Sequence, residues 1–266
     1  MDACTRNNVR VVGAEDGPTV LLAHGFGCDQ NLWRLVTARL APSFRVVLFD
    51  HVGAGASDPS AWDPVRYSSL EGYAEDVLDI VAELDLREVV FVGHSVAAII
   101  GVLAVAADPS RFAKLILLTP SPRYVDDGDY RGGFTRSDVE ELLDSLESNY
   151  LGWSRAMAPT IMGAPDRPEL ADELADSFCR TDPSRARVFA RTTFLSDNRA
   201  DLQRVSVPTL VIECAEDALA PREVGAYVHR HIDGSELVTL DATGHCPQLS
   251  VPQATAEAIA AFAGAT

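Results

Sequence analysis

Val89-Val90-Phe91-Val92-Gly93-His94-Ser95-Val96-Ala97-Ala98-Ile99-Ile100-Gly101 is the stretch on which the reading of this chain turns. A short apolar, β-branched run ends in Gly-His-Ser, and a run of small and aliphatic residues with helical character follows. That order describes a strand, a sharp turn and a helix, with a serine at the apex. Such a turn holds a hydroxyl clear of the main chain and at a helix N-terminus, where free N–H groups and the dipole favour negative charge. This is the nucleophile-elbow pattern, usually Gly-x-Ser-x-Gly. Here Ala97 stands at the last position, where the need is for a small residue that lets the helix pass close to the strand. The pattern alone also fits an ordinary strand–loop–helix, so Ser95 needs partners elsewhere in the chain.

Outward from the elbow, apolar runs that read as strands fall at Thr19–Ala23, Arg45–Phe49, Glu88–Val92, Lys114–Leu118, Thr209–Cys214 and Glu236–Leu240. Helical patterns fall at Asn31–Leu40, Ser69–Leu84, Val96–Ala107, Arg222–His231 and Pro252–Phe262. Several of the strand-like runs are apolar on both faces, which suits central strands covered by helices on both sides. The alternation predicts an α/β fold with a mostly parallel, doubly wound sheet. The rhythm breaks between Ser121 and Val205, where helical periodicity (Val139–Asn149, Leu170–Cys179, Arg185–Leu195) replaces strands. We therefore expect a core domain from residues 1–120 and 206–266, interrupted by a helical lid at 121–205. The lid segment is rich in aromatics, more than short helices can bury among themselves, so some should face the core and line a pocket.

Composition narrows the function classes. The 266 residues are 47% hydrophobic and 23% charged, with a formal net charge of −17, the profile of a globular protein. Such a charge repels phosphate backbones and anionic lipids, which argues against nucleic-acid and membrane partners. The N-terminus has no secretory-signal pattern, and no run of 18 apolar residues occurs. Cys4, Cys28, Cys179, Cys214 and Cys246 are odd in number and widely spaced, which speaks for a reducing, cytoplasmic compartment and against a disulfide framework or a zinc site. No P-loop, dinucleotide fingerprint or metal motif is present, so neither a cofactor nor a metal is expected. Asp50-His51-Val52-Gly53-Ala54-Gly55 lacks the third glycine of a dinucleotide loop and reads as a turn after a strand.

A serine hydroxyl needs a histidine base, and that histidine needs a carboxylate to hold its tautomer. Sites on parallel sheets form at the C-terminal strand ends. Asp217 follows the run Thr209–Cys214, with Glu216 its nearest rival. His245 follows Glu236–Leu240, after Gly244. The order Ser, Asp, His is that of the α/β-hydrolases. His51 follows an earlier strand and could face the site, His94 should point away from Ser95 into packing, and His229 and His231 end a helix. Cys246 beside His245 reads as a small packed residue rather than a thiol nucleophile. Two N–H donors for an oxyanion are expected from Val96 and from Phe26 in the loop His24-Gly25-Phe26-Gly27.

The chain resembles one α/β-hydrolase branch in His24-Gly25-Phe26-Gly27-Cys28-Asp29-Gln30, Asp50–Gly55, Leu70-Glu71-Gly72-Tyr73 and Phe91–Val96. The likeness continues through Gly132-Gly133-Phe134, Asn149-Tyr150-Leu151-Gly152-Trp153, Phe178–Pro183 and Gly244-His245-Cys246-Pro247. That branch holds the RsbQ-type regulators of a bacterial stress sigma factor and the plant karrikin and strigolactone receptors. The resemblance, closest to the RsbQ type, covers nearly the whole chain. It implies a Ser95–Asp217–His245 triad and a four-helix lid over a small apolar pocket lined by Phe26, Tyr124, Phe134, Trp153 and Phe194. It further implies slow hydrolysis of a small apolar ester, lactone or enol-ether. In this branch such chemistry often serves perception, with a signalling partner protein. A cofactor-free lyase or haloperoxidase on the same fold would require further polar pocket groups.

Overall fold

The computed structural model describes residues 1–264; the last two residues of the expected 206–266 core segment lie outside them. Seven strands form one sheet: β1 (Arg10–Gly13), β2 (Thr19–Ala23), β3 (Arg45–Leu48), β4 (Val89–His94), β5 (Phe112–Leu118), β6 (Thr209–Glu216) and β7 (Glu236–Thr243). Their spatial order is β1-β3-β2-β4-β5-β6-β7. Only β1 runs antiparallel to its neighbour, pairing Arg10 with Leu48; the others are parallel. The sequence reading passes over β1 because it is a short, largely exposed edge strand with no apolar run to mark it.

The core helices are α1 (Ala3–Arg6), α2 (Arg34–Leu40), α3 (Leu70–Glu83) and α4 (Val96–Ala107). A helical insertion follows β5 as α5 (Arg136–Ser148), α6 (Tyr150–Met162), α7 (Pro168–Arg180) and α8 (Pro183–Phe194), forming a lid. The core then resumes with α9 (Arg222–His231), α10 (Pro247–Ser250) and α11 (Pro252–Gly264). Alternate strand residues feed opposite faces, as the two-residue period of a strand requires. Leu21, Phe91, Leu115 and Val211 pack with α3 and α4 on one face. Val20, Val90, Val92, Ile116 and Ile212 pack with α2 and α11 on the other. A third apolar cluster joins the lid helices to the core loops beneath them.

The elbow itself is built by close approach. Every residue of α4 from Val96 to Val105 is buried, which explains its lack of a polar face. The helix crosses β4 so tightly that a Cβ on Gly93 would collide with the Ala97 carbonyl. Gly93 therefore carries the main steric demand of the crossing. Ala97 is fully buried without needing to be glycine.

Candidate active site

Ser95 occupies a backbone conformation that non-glycine residues seldom adopt, φ 59° and ψ −125°. The turn is held because Ser95 N–H donates to Leu118 O at 2.9 Å and Ala98 N–H donates to Ser95 O at 2.9 Å. Ser95 Oγ–H donates to His245 Nε2 at 2.7 Å. With Nε2 accepting, Nδ1 carries the ring proton and donates to Asp217 Oδ2 at 2.7 Å. The other carboxylate oxygen of Asp217 accepts from Leu219 N–H at 2.8 Å and Ala220 N–H at 3.2 Å. Burial alone would raise the Asp217 pKa, but facing His245 and these two amides outweigh it, and the group sits below the usual carboxylate range. The three side chains come from the ends of β4, β6 and β7, so sheet geometry brings together residues separated by up to 150 positions.

The histidine's main chain is pinned as firmly as its ring. His94 Nε2–H donates to the His245 carbonyl at 2.8 Å, and Thr119 Oγ1 donates to the same oxygen at 3.3 Å. Burial, and then the nearby His245, push the His94 pKa down to about 3, so His94 is neutral. His245 N–H donates to Ile161 O at 2.8 Å, a bond to the C-terminal turn of α6 in the lid. At this junction Gly163 comes so close that an added Cβ would lie 2.7 Å from Gly244 Cα. A side chain on Gly244, at φ 98°, would strike the Met162 carbonyl.

Val96 is the first residue of α4, where N–H groups lack an intrahelical acceptor. The loop that carries Phe26 lies alongside, since a Cβ on Gly25 would stand 3.2 Å from Ser95 Cβ. His51 does not join the site. Its Nε2–H donates to His24 O at 3.0 Å, and its ring packs edge-on against Phe49 and Tyr73. The Cys246 thiol is buried, and burial raises its pKa well above the usual thiol range, so it stays protonated.

Above Ser95 lies a narrow cavity that leaves about 30 Å³ free to water-sized molecules. Phe26, Tyr124, Trp153 and Phe194 line it. Phe134 does not. Its backbone pairs beside Tyr124, with Phe134 N–H donating to Tyr124 O at 3.2 Å, and its half-buried ring packs behind the tyrosine at 6.4 Å. Sequence reasoning missed Met157 and Ile161, although they repeat from Trp153 at four-residue intervals along one face of α6. It also missed Leu174 of α7, which lies one turn before the cavity-lining Phe178 at the same spacing. Phe26 is the hub of the wall, with Phe189, Phe178, Trp153 and Phe194 at ring distances of 5.8, 6.1, 6.2 and 6.3 Å. The Tyr124 hydroxyl, pushed up to about 12 by burial, remains protonated and donates to Ser95 Oγ at 3.4 Å.

Among the described residues, no group of three or more His, Cys, Asp or Glu is arranged to hold a metal ion. No described helix is long and apolar enough to cross a membrane. Comparison with known proteins places the molecule. Residues 20–258 match the model of the alpha/beta hydrolase family. The chain is 41% identical over 251 residues to strigolactone esterase D14 of Arabidopsis thaliana, covering 94% of this chain and 93% of that one. It is 40% identical over 247 residues to the karrikin insensitive 2 receptor CA of Petunia hybrida, covering 92% and 91%. Among solved structures, a hydrolase from Oleispira antarctica superposes with a TM-score of 0.97 at 43% identity, covering 100% of this chain and 97% of that one.

Proposed function

The chain belongs to the alpha/beta hydrolase family, and from that footing we propose that it is a serine hydrolase acting on a small, mainly apolar ester or lactone. The observation that carries this reading is the continuous chain from Ser95 Oγ through His245 to Asp217, two hydrogen bonds of 2.7 Å, opening into an apolar cavity. Ser95 Oγ attacks the carbonyl carbon while its proton passes to His245 Nε2. The resulting imidazolium faces the ionised Asp217. The N–H groups of Phe26 and Val96 receive the negative oxygen of the tetrahedral intermediate. As the C–O bond to the leaving alcohol breaks, Nε2 returns the proton to that oxygen. Water, deprotonated by the same nitrogen, then attacks the acyl-enzyme and releases the acid and free Ser95. In this proposal the segment 121–205 is the lid that encloses the substrate over a core built from 1–120 and 206–266.

The test is hydrolysis of a short p-nitrophenyl ester by purified protein. Ser95→Ala is expected to reduce kcat/KM by about 10⁴-fold or more, and mass spectrometry is expected to find an acyl adduct on the wild-type Ser95 peptide. Equal rates for the two proteins would sink the reading.

A second reading is favoured by the enclosed pocket and by the receptor among the relatives: a ligand sensor that hydrolyses slowly and then binds a partner protein. Turnover separates the two. Many cycles on one ester support an enzyme, whereas a single slow cycle with ligand-dependent capture of a partner supports a sensor.

A further inference from the structure

Two residues of the cavity wall carry a buried polar atom with no hydrogen-bond partner among the described residues: His94, at Nδ1 beneath Ser95, and Thr193, on the lid side. Thr193 lies in the last turn of α8, is 2% exposed, and lines the cavity beside Phe194. Its Oγ1 has no hydrogen-bond partner among the described residues. The usual outlet for a helical hydroxyl is the carbonyl four residues back. This chain uses that outlet elsewhere: Ser148 bonds Asp144 O at 2.7 Å, Ser154 bonds Tyr150 O at 2.7 Å, and Thr255 bonds Val251 O at 3.1 Å. The adjacent Thr192 bonds Tyr67 O at 3.2 Å, on the core side of the helix. Thr193 does neither, and most of the residues that line the cavity with it are aromatic or aliphatic. Valine would fill the same space with no orphaned donor.

We propose that Thr193 is a specificity-determining residue, and that its hydroxyl donates to an oxygen of the substrate other than the reacting carbonyl. This rests on the serine-hydrolase reading above and narrows it. The preferred ester or lactone carries, within an otherwise apolar body, a second acceptor such as a keto, ether or ring oxygen. An all-hydrocarbon ligand leaves the hydroxyl orphaned. A ligand with an oxygen at the right depth satisfies it, and a pocket built to bond a polar atom discriminates against the analogue that lacks it.

The experiment uses two matched pairs of probes, so that the oxygen can sit on either side of the ester. They are p-nitrophenyl pentanoate against p-nitrophenyl 4-oxopentanoate, and pentyl acetate against 4-oxopentyl acetate. In wild-type protein at least one keto ester is expected to exceed its hydrocarbon partner in kcat/KM. Thr193→Val is expected to lower that ratio about tenfold, and Thr193→Ser to restore most of it. Without ligand, Thr193→Val is expected to melt at or above the wild-type temperature, because it removes a buried donor that no protein group satisfies. Ratios that stay the same in Thr193→Val, or a melting point several degrees lower, would overturn the inference while leaving the hydrolase reading intact. If wild type cleaves none of the esters, the hydrolase reading fails. Calorimetric titration with the same pairs then decides for Thr193: tighter keto binding that Thr193→Val abolishes supports its role, and equal binding overturns it.

Discussion

At the sheet edge, each side-chain polar atom of Ser95, Asp217 and His245 is hydrogen-bonded. On the lid side of the same cavity the wall is mostly ring and hydrocarbon, and the hydroxyl of Thr193 has no partner. The two regions are also fastened differently. The strands that carry the triad candidates are laddered to their neighbours by backbone bonds. The lid meets the core through packing around Phe26, a backbone bond from His245 N–H to Ile161 O, and side-chain ties at its rim. The paired bonds of Arg34 to Glu173 and the 3.1 Å contact of Arg180 with Asp29 are examples. Exposed ion pairs of this kind contribute about 0–1 kcal/mol each. Geometry at the edge is therefore set by the sheet, whereas the roof is held mainly by apolar contact. Substitutions at the edge should act on the chemical step, and those in the roof on binding and stability.

The sharpest way to break that division is Asp217→Asn. An amide cannot hold His245 in the working tautomer, so kcat is expected to fall by about 10⁴-fold; a loss below tenfold in ester-hydrolysis kinetics would contradict the proposed role. Trp153→Ala should behave as a roof substitution. It removes a buried ring stacked on Phe178 at 5.8 Å and is expected to lower unfolding stability by about 3–5 kcal/mol in a denaturant titration. KM should rise more than kcat falls.

Acid tests the edge in another way. The folded pKa of His94 lies far below its ordinary value, so the unfolded chain binds more protons as pH falls. Stability from a neutral His94 is thus complete above about pH 6.5 and drains away toward pH 3, at about 1.4 kcal/mol per pH unit. Buried His24 and His51 shift in the same direction, mainly through desolvation. Thermal melts should fall steeply below pH 6.5, and His94→Gln should flatten that slope by about one histidine's share. The smallest effect belongs to the rim, where Arg34→Met is expected to change stability by less than about 1 kcal/mol. A larger shift would mean that charge holds the lid down.

The contrast also explains what could be read from the residues alone. The alternating fold was legible because each central strand is a dense apolar run and each core helix an uninterrupted pattern. The meeting of Ser95, Asp217 and His245 was legible because strand ends in a parallel sheet converge on one edge. The first strand escaped notice because an exposed edge such as Arg10–Gly13 has no burial pattern to betray it. The second lid helix was obscured by Gly152 and by Pro159, which sits inside it. Phe134 was misplaced because the turn at Gly132-Gly133 folds its backbone alongside Tyr124, a matter of local hydrogen bonding rather than of side-chain type. The orphaned hydroxyl of Thr193 could not be read at all, because it depends on which way a half-apolar side chain faces once four helices have packed.

The bond from His245 N–H to the Ile161 carbonyl gives the roof a second office. With Gly163 and Gly244 in contact beneath it, the end of α6 rests directly on the loop that carries His245. A lid that swings wide must either break that bond or drag the imidazole off Ser95. Under the proposed hydrolase reading, admission of a ligand and readiness of the base would then share one mechanical coordinate.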